Sequence, residues 1–350
     1  MTITEKLASM SRPLSKDPQP EVEVIAGLYP RGYFSLFASP PGTGKTWFMQ
    51  YIACQLSVGG NILHGLKIND RPKKVVILAG ETGRYLLDRR ARLTDWPYNP
   101  DRLHIYDAIE MQREGLSLLL NEQDGRNMFL AIIAQEQPDI VFIDTLISFH
   151  SADETKQGDM TSIYGFLLKT AKGADCAIVA NHHTRKRGQK QQGSPLTLDD
   201  VIGTSTGTRL ASAVYIAEQV EQLSVDDNDG LPVVNVRNVK NWNRKLPDFS
   251  YAFYRTPYTP SRLDFRVTWG LTAGQEERSI RERCYGCLRA FGIGATLTAE
   301  TVAREVCTSK DNARKYLAET EKNGYTEKLT VPFGSGNIPA WRIKALPENL

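Results

Sequence analysis

The residues of this chain best suited to chemistry lie in the stretch 39–46, Ser-Pro-Pro-Gly-Thr-Gly-Lys-Thr. It nearly meets the pattern Gly-x-x-x-x-Gly-Lys-Thr, with Ser39 at the usual first glycine. A strand-like stretch precedes it and a helix-like stretch follows, which is the setting in which backbone N–H groups and a helix N-terminus hold phosphates. The pattern predicts a nucleotide phosphate site, and a glycine-rich turn without a ligand is the alternative.

Within this loop we expect Lys45 to reach the outer phosphates and the Thr46 hydroxyl to bind Mg²⁺. The predicted phosphate-binding residues are Pro41, Gly42, Thr43, Gly44, Lys45 and Thr46.

Polar residues follow three other apolar stretches. Asp144 ends "IVFID", where a carboxylate is able to hold magnesium, and its alternative role is a strand-end cap. Glu81 follows "VVILAG" and is expected to orient or deprotonate an attacking water, unless it is a solvated loop residue. His182 and His183 follow "AIVAN" and are expected to sense the outer phosphate. A metal site is the competing interpretation of the histidine pair, but no Cys or carboxylate cluster accompanies it in the sequence.

The elements that must position these residues alternate between strands and helices. The apolar stretches 33–38, 74–80, 139–144 and 176–181 are rich in Val, Ile and Phe, which favours a parallel sheet covered on both faces. Helices are predicted at 45–59, from Tyr85, and around 162–172. The stretches 213–220, 232–239 and 250–256 are predicted as antiparallel additions at the sheet edge. The predicted fold class is therefore α/β, with a mostly parallel sheet and antiparallel edge strands.

The composition sets wider limits. The chain has 350 residues, a net charge of +3 and no apolar run long enough for a membrane helix, so we expect a cytoplasmic protein without a membrane partner. Five cysteines without framework spacing favour reduced thiols. Cys284 and Cys287 share a helical face with Ile280, Leu288 and Phe291, which predicts a core rather than a metal or redox site.

A basic loop follows the histidine pair. It contains Arg185, Lys186, Arg187 and Lys190 and has no acid before Asp199. Such a segment is able to neutralise the phosphates of a nucleic acid strand, although most basic runs are solvated loops. The small-residue stretch 201–209 is a second candidate for approach to nucleic acid.

The last seventy-odd residues predict a small module of three helices and a hairpin at 326–343, the order of a winged helix-turn-helix. The residues expected to face a DNA groove are Lys310, Asn312, Arg314 and Lys315. Ala313, Tyr316 and Leu317 are expected to pack inward. A protein contact is the alternative use of such a module.

The runs "GLYPRGYFSLFASPPGTGKT", "VVILAGE", "DIVFIDTL" and "IVANHHTRK" together resemble the RecA-like P-loop ATPases of the hexameric helicase group, especially the RepA-like helicases of plasmids and other mobile elements. The resemblance covers roughly residues 21–256. It implies ATP and Mg²⁺ as cofactors, Lys45, Thr46 and Asp144 as their ligands, and Glu81 as catalytic base. It also implies that His182 and His183 sense phosphate beside a DNA-contacting loop.

The resemblance further implies a nucleotide site that lies between subunits and is completed by a cation from the neighbour. Lys240 is our first choice, with Arg244 and Arg209 behind it; Trp242 stands where related ATPases have an arginine. Each of these cations has solvated surface charge as its alternative role.

The sequence thus predicts three parts: a flexible arm at 1–20, an ATPase domain at 21–272 and a winged-helix domain at 275–350. The expected function is a hexameric, ATP-driven DNA helicase that translocates on single-stranded DNA to replicate a plasmid, phage or integrated element. Primase, initiator or polymerase partners would be separate chains. The alternatives are a recombination or DNA-loading ATPase without unwinding, and an ATP-switched DNA-binding regulator.

Overall fold

The computed structural model of the chain describes most of the residues between 23 and 345. These are residues 23–25, 27–60, 71–185, 195–203, 205–224, 232–242, 246–256, 259–269, 291–306, 310–333 and 336–345, together with Ile3, Cys284, Tyr285, Cys287 and Leu288. The predicted arm at 1–20 lies almost wholly outside them, so its boundary stays a prediction.

A nine-stranded sheet forms the centre of the fold, in the order β11-β10-β9-β8-β3-β7-β6-β4-β5. Strands β3 to β8 pair in parallel, and β9, β10 and β11 continue the sheet antiparallel. The strands are β3 (Phe34–Ser39), β4 (Val75–Ala79), β5 (Leu103–Asp107), β6 (Ile140–Asp144), β7 (Ala177–His183), β8 (Ala213–Ser224), β9 (Pro232–Asn241), β10 (Phe249–Thr256) and β11 (Thr259–Trp269). A short antiparallel pair, β1 (Glu23–Ile25) and β2 (Tyr29–Pro30), precedes it. The predicted fold class is confirmed.

Both faces of the central strands are buried. Val75 and Ile77 of β4 pack in one apolar cluster, whereas Val76 and Leu78 pack in another on the opposite face. Successive side chains of a strand point to opposite faces, so burial on both sides requires an unbroken apolar run. The helices of this part are α1 (Lys45–Val58), α2 (Arg84–Thr94), α3 (Ala108–Arg113), α4 (Gln123–Glu136), α5 (Gln157–Ala174) and α6 (Ser205–Leu210).

Several described elements have no counterpart in the sequence prediction, among them β5, α4 and β11. Strand β5 reads Leu-His-Ile-Tyr-Asp and is only half-buried at the sheet edge, so its apolar signal is weak. The side chains of His104 and Tyr106 on β5 form hydrogen bonds with the carboxylate of Glu136 on α4, which connect the strand to that helix.

The sheet order decides where the candidate site lies. The chain passes from β3 through α1 to β4, and β7 and β6 then fill the two positions between them. Residues that follow β3, β4, β6 and β7 meet at the carboxyl edge of the sheet, where parallel α/β folds form their ligand crevices.

The described residues from 291 to 345 form a separate sheet, β12-β14-β13, together with the helices α7 and α8. Its elements are β12 (Thr296–Thr298), α7 (Ala299–Val306), α8 (Lys310–Lys322), β13 (Thr326–Phe333) and β14 (Gly336–Ile343). The predicted hairpin is therefore present. That this module is a winged helix, and that it begins at 275, stay predictions.

The Cys284–Cys287 pair lies in the apolar cluster of this C-terminal part, as the sequence predicted. Both thiols are buried with Leu288, but Phe291 is 41% exposed, so its predicted burial was wrong. Ile280 lies outside the described residues. Among the residues that the structure describes, no group of three or more His, Cys, Asp or Glu side chains has metal-binding geometry. Nor does any helix in the described part have the length and apolarity to cross a membrane.

Candidate nucleotide site

The loop between β3 and α1 turns sharply at two glycines. Gly42 and Gly44 have φ values of 81° and 84°, which L side chains rarely adopt, and α1 begins directly after Gly44. Ser39, at the usual first glycine, is accommodated because its hydroxyl bonds with the Thr43 hydroxyl and donates to the Pro40 carbonyl at 3.1 Å. This departure from the pattern therefore stabilises the turn.

A tyrosine from the antiparallel part of the sheet supports this loop. The Tyr251 hydroxyl on β10 is buried and donates to the Thr43 carbonyl at 2.8 Å. Sequence reasoning missed this contact, because nothing in the stretch 250–256 distinguishes Tyr251 from the other aromatic residues there.

Lys45 is folded back on its own loop. Its Nζ donates to the carbonyls of Ser39 and Pro40, each at 3.2 Å, and lies 3.3 Å from Nδ1 of His183. Burial lowers the pKa of Lys45 to about 8, although Asp144 and Glu81 act to raise it. The ammonium is therefore poorly solvated and well placed to exchange two carbonyl contacts for an anionic ligand.

Glu81 lies beside Lys45 at the end of β4. Its Oε1 accepts from the Thr145 hydroxyl at 2.7 Å and lies 3.2 Å from Nε2 of His183. Burial acts to raise the pKa of Glu81, but the hydrogen bonds with Thr145 and His183 outweigh it and hold that pKa below its usual range. The side chain is 43% exposed, so Glu81 is an ionised carboxylate that water can reach.

Asp144 is the deepest carboxyl of the site. It is 1% exposed, and its Oδ1 accepts from Nδ2 of Asn181 at 2.7 Å. Burial raises the pKa of Asp144, whereas Asn181 and the neighbouring Thr46 hydroxyl lower it. Its Oδ2 is buried without a hydrogen bond of ordinary geometry to any described residue. A carboxylate oxygen with spare capacity beside a hydroxyl is the hard oxygen donor set that Mg²⁺ prefers, so these residues fit that ion.

The two histidines point in different directions, because β7 continues to His183 and strand side chains alternate. His183 faces Lys45 and Glu81. His182 is 2% exposed and lies 3.2 Å from the Tyr164 hydroxyl on the other side of the sheet. The expectation that His182 touches phosphate directly is therefore corrected.

Thr145 and Asn181 also belong to this cluster and were missed from the sequence. Each is the immediate chain neighbour of a predicted site residue at a strand end. A polar residue adjacent to a predicted site residue at a strand end is the sequence signal that could have identified both.

Lys240, expected to act on a neighbouring subunit, is engaged within its own chain. Its Nζ donates to the carbonyls of Thr208 and Arg209 at 2.7 and 2.8 Å, which holds the C-terminal end of α6. Arg209 itself is exposed. Arg244 lies outside the described residues.

The predicted nucleic-acid contacts are only partly described. Arg185 donates from Nη2 to the Gly203 carbonyl at 2.7 Å, which joins the basic loop to the small-residue stretch. Lys186, Arg187 and Lys190 lie outside the described residues.

On α8 the predicted groove-facing and inward-facing residues differ in burial, except for Asn312 and Tyr316. Lys310, Arg314 and Lys315 are exposed and Asn312 is half-buried, whereas Ala313 and Leu317 are buried and Tyr316 is half-buried. Lys310 pairs with Glu300, and Arg314 pairs with Asp311, each at 3.1 Å. Whether these residues contact DNA stays a prediction.

Comparison with known proteins places these features in a family. Residues 4–189, more than half of the chain, match the AAA domain family. The structure resembles that of a KaiC-like protein from the archaeon Pyrococcus horikoshii, with 13% identity over 71% of this chain and 100% of that chain and a TM-score of 0.43. It also resembles a DnaB-like replicative helicase, with 15% identity over 67% of this chain and 58% of that chain and a TM-score of 0.48. The central sheet is mostly parallel, and the glycine-rich loop lies between its strand β3 and helix α1.

Proposed function

The chain belongs to the AAA domain family, and from this premise we propose that it is an ATP-hydrolysing motor that moves along single-stranded DNA as a hexameric ring. The observation that carries the proposal is the contact of three charged or titratable groups, Lys45, His183 and Glu81, at the mouth of the glycine-rich loop. A glycine-rich turn without a ligand would not require this arrangement.

Each group in the cluster has a distinct proposed role. The loop 41–46 binds the phosphates through its N–H groups, and Lys45 leaves the Ser39 and Pro40 carbonyls to contact the outer phosphate oxygens. Thr46 and Asp144 would hold a magnesium ion, which would supply positive charge to those oxygens.

Glu81 accepts the proton of the attacking water while the water oxygen bonds to the outer phosphorus, the bond to the bridging oxygen breaks and ADP leaves. The Thr145 hydroxyl fixes the orientation of this carboxylate, and His183 is placed to detect whether the outer phosphate is present.

The cation supplied by a neighbouring subunit is proposed to be Arg209. Lys240, our first choice from the sequence, donates both of its observed bonds to carbonyls at the end of α6, so its proposed role is to hold Arg209 in place. Loss of Lys240 would then lower hydrolysis through Arg209 rather than directly.

The DNA strand is proposed to contact Arg185, Lys186, Arg187 and Lys190, since these follow the strand that carries His183. The 275–350 part is proposed to be a winged-helix domain that contacts duplex DNA through Lys310, Asn312, Arg314 and Lys315. Replication of a plasmid, phage or integrated element, with a separate primase, initiator or polymerase, is the proposed setting.

Three measurements test this function. ATP hydrolysis is measured without DNA, with single strands and with duplex, followed by unwinding of a forked duplex and determination of particle mass with an ATP analogue. Stimulation with unwinding and a six-fold particle supports the proposal. Stimulation without unwinding favours a DNA-loading or recombination ATPase, and indifference to DNA favours an ATP-switched regulator.

A further inference from the structure

A buried polar cluster lies on the side of β7 opposite the nucleotide site. It consists of His150, Glu154, Tyr164 and His182, and we call it the Glu154 cluster. Nε2 of His182 lies 3.2 Å from the Tyr164 hydroxyl and 3.4 Å from Oε1 of Glu154. Nε2 of His150 approaches the same Glu154 oxygen at 3.8 Å. None of the roles proposed above uses Glu154 or His150.

One end of the cluster touches the nucleotide site through the backbone. The His183 N–H donates to Nδ1 of His182 at 2.9 Å, which leaves Nε2 of the neutral His182 ring as the donor toward Glu154 and Tyr164. His183 in turn contacts Lys45 and Glu81. A rotation of the His183 backbone therefore moves the His182 ring.

The other end of the cluster touches the segment that precedes α6. Gly203 lies directly on Glu154, because a Cβ added to Gly203 would come within 3.2 Å of the Glu154 carbonyl oxygen. The Gly203 carbonyl accepts from Arg185, the first residue of the basic loop. Gly207 of α6 packs on the Tyr164 ring in the same way, since its Cβ would come within 2.6 Å of that ring.

One acceptor oxygen of the Glu154 cluster lacks a hydrogen bond. Oε1 of Glu154 is buried and makes no hydrogen bond to any residue that the structure describes, although two ring nitrogens lie just beyond bonding geometry. A buried unpaired oxygen costs free energy comparable to that of a lost hydrogen bond, so a shift of a few tenths of an ångström toward either histidine is favourable. Burial lowers the pKa of His182 to about 3, so this ring is neutral, and burial raises the pKa of Glu154 above its usual range.

We propose that Glu154 is a positioning residue that couples the His182–His183 pair to the Gly203–Arg185 segment. It would thus carry the state of the nucleotide site to the start of the basic loop. The inference rests on the proposed function for the identity of the nucleotide, but not on the nature of the strand that the loop contacts.

The test measures hydrogen exchange by mass spectrometry, with and without a non-hydrolysable ATP analogue, in peptides covering 39–46, Arg185 and 201–210. The wild-type protein is expected to change its exchange rate at least about fivefold in all three regions. In Glu154→Ala the change at 39–46 is retained and the change at Arg185 and 201–210 is lost. Glu154→Gln is expected to retain both, because its amide oxygen keeps an acceptor facing Nε2 of His182. Asp159→Asn, which removes an exposed carboxyl group from the first turn of α5, is the matched control.

Tyr164→Phe provides a second test if Glu154→Ala folds poorly, since it removes only the hydroxyl that faces His182. It is expected to weaken the change in exchange rate at Arg185 and 201–210, the distant response, at least twofold. Hydrolysis gives an independent reading, with basal rates of Glu154→Ala within about twofold of wild type and DNA stimulation lost.

Two outcomes separate the inference from the proposed function. A normal distant response in both Glu154→Ala and Tyr164→Phe overturns the inference alone. A wild-type protein whose 39–46 peptide ignores the analogue removes the proposed nucleotide site, and the inference with it.

Discussion

The nucleotide site and the exposed face of α8 both contain charged residues, but these residues differ in solvent exposure and in the number of groups they contact. Lys45 and Asp144 are 6% and 1% exposed, and each contacts several groups from different strands or loops. Lys310 and Arg314 are about half exposed, at 49% and 51%, and each has an ion pair with one nearby acid.

This difference sets how strongly each region depends on a single side chain. Removing one member of a buried charge cluster leaves its partners unpaired and costs several kcal/mol, whereas exposed ion pairs contribute about 0–1 kcal/mol. We therefore expect the nucleotide site to fail at single substitutions and α8 to respond in small increments. The predictions below test this contrast, beginning with the largest effect.

Lys45→Ala is expected to lower nucleotide affinity by about 100-fold or more, because two or more charge-assisted hydrogen bonds to phosphate oxygens disappear. Affinity is measured by titration with a fluorescent ATP analogue. Lys169→Ala, which removes an exposed lysine from α5, is the control and should bind normally. Unchanged affinity in Lys45→Ala would remove the phosphate-loop assignment.

Glu81→Gln is expected to bind ATP within a few-fold of wild type and to hydrolyse it about 100-fold more slowly or worse, because the amide cannot accept the proton of the attacking water. Single-turnover hydrolysis at saturating nucleotide measures the step directly. Glu110→Gln makes the same change on an exposed helix and should leave the rate unaltered. A normal rate in Glu81→Gln would place the base elsewhere.

The sequence was sufficient where the information is local. The sequence placed the loop 39–46 before α1, Glu81 after β4 and Asp144 at the end of β6, because an apolar run, its end and the next polar residue are contiguous in the chain. The roles of these residues stay predictions. The His182 error has a local cause as well. The strand was predicted to end at Asn181, but β7 extends to His183. Because side chains alternate along a strand, His182 and His183 point to opposite faces of the sheet.

Contacts between distant segments were beyond sequence reasoning. Tyr251 supports Thr43 from 208 positions away, and Lys240 holds α6 from across the sheet. Both depend on how β9 and β10 pair with the parallel strands, which no local pattern specifies. The Glu154 cluster likewise assembles from three separate segments, and no pattern in the sequence relates His150 and Glu154 to His182.

The basic loop is expected to lie between the two regions in sensitivity, since its charges act together. Alanine at Arg185, Lys186, Arg187 and Lys190 removes up to four phosphate contacts, so the slope of log affinity for single-stranded DNA against log salt should fall by as much as about three units. Basal ATP hydrolysis should survive, while DNA stimulation and unwinding are lost.

A two-residue comparison controls for net charge in that experiment. Lys186→Ala with Arg187→Ala should lower the slope by about 1.4 units, whereas Lys156→Ala with Lys169→Ala, both on or beside α5, should leave it unchanged. Equal slopes in the two pairs would mean that the strand does not contact this loop.

The smallest effect is expected on α8. Arg314→Ala should weaken duplex DNA binding by only about two- to fivefold, because the guanidinium is half exposed and its charge is already partly offset by the ion pair with Asp311. Arg314→Ala with Lys315→Ala should lower the salt slope by up to about two units, measured by fluorescence anisotropy on a duplex between 50 and 200 mM salt. Lys322→Ala lies at the opposite end of the same helix and should change neither quantity. If the double variant keeps the wild-type slope, the exposed face of α8 does not contact phosphate, and a protein contact becomes the better assignment for the C-terminal module. A loss of more than 100-fold from Arg314 alone would instead break the contrast, because a half-exposed ion pair would then be as important to binding as Lys45 is in the nucleotide site.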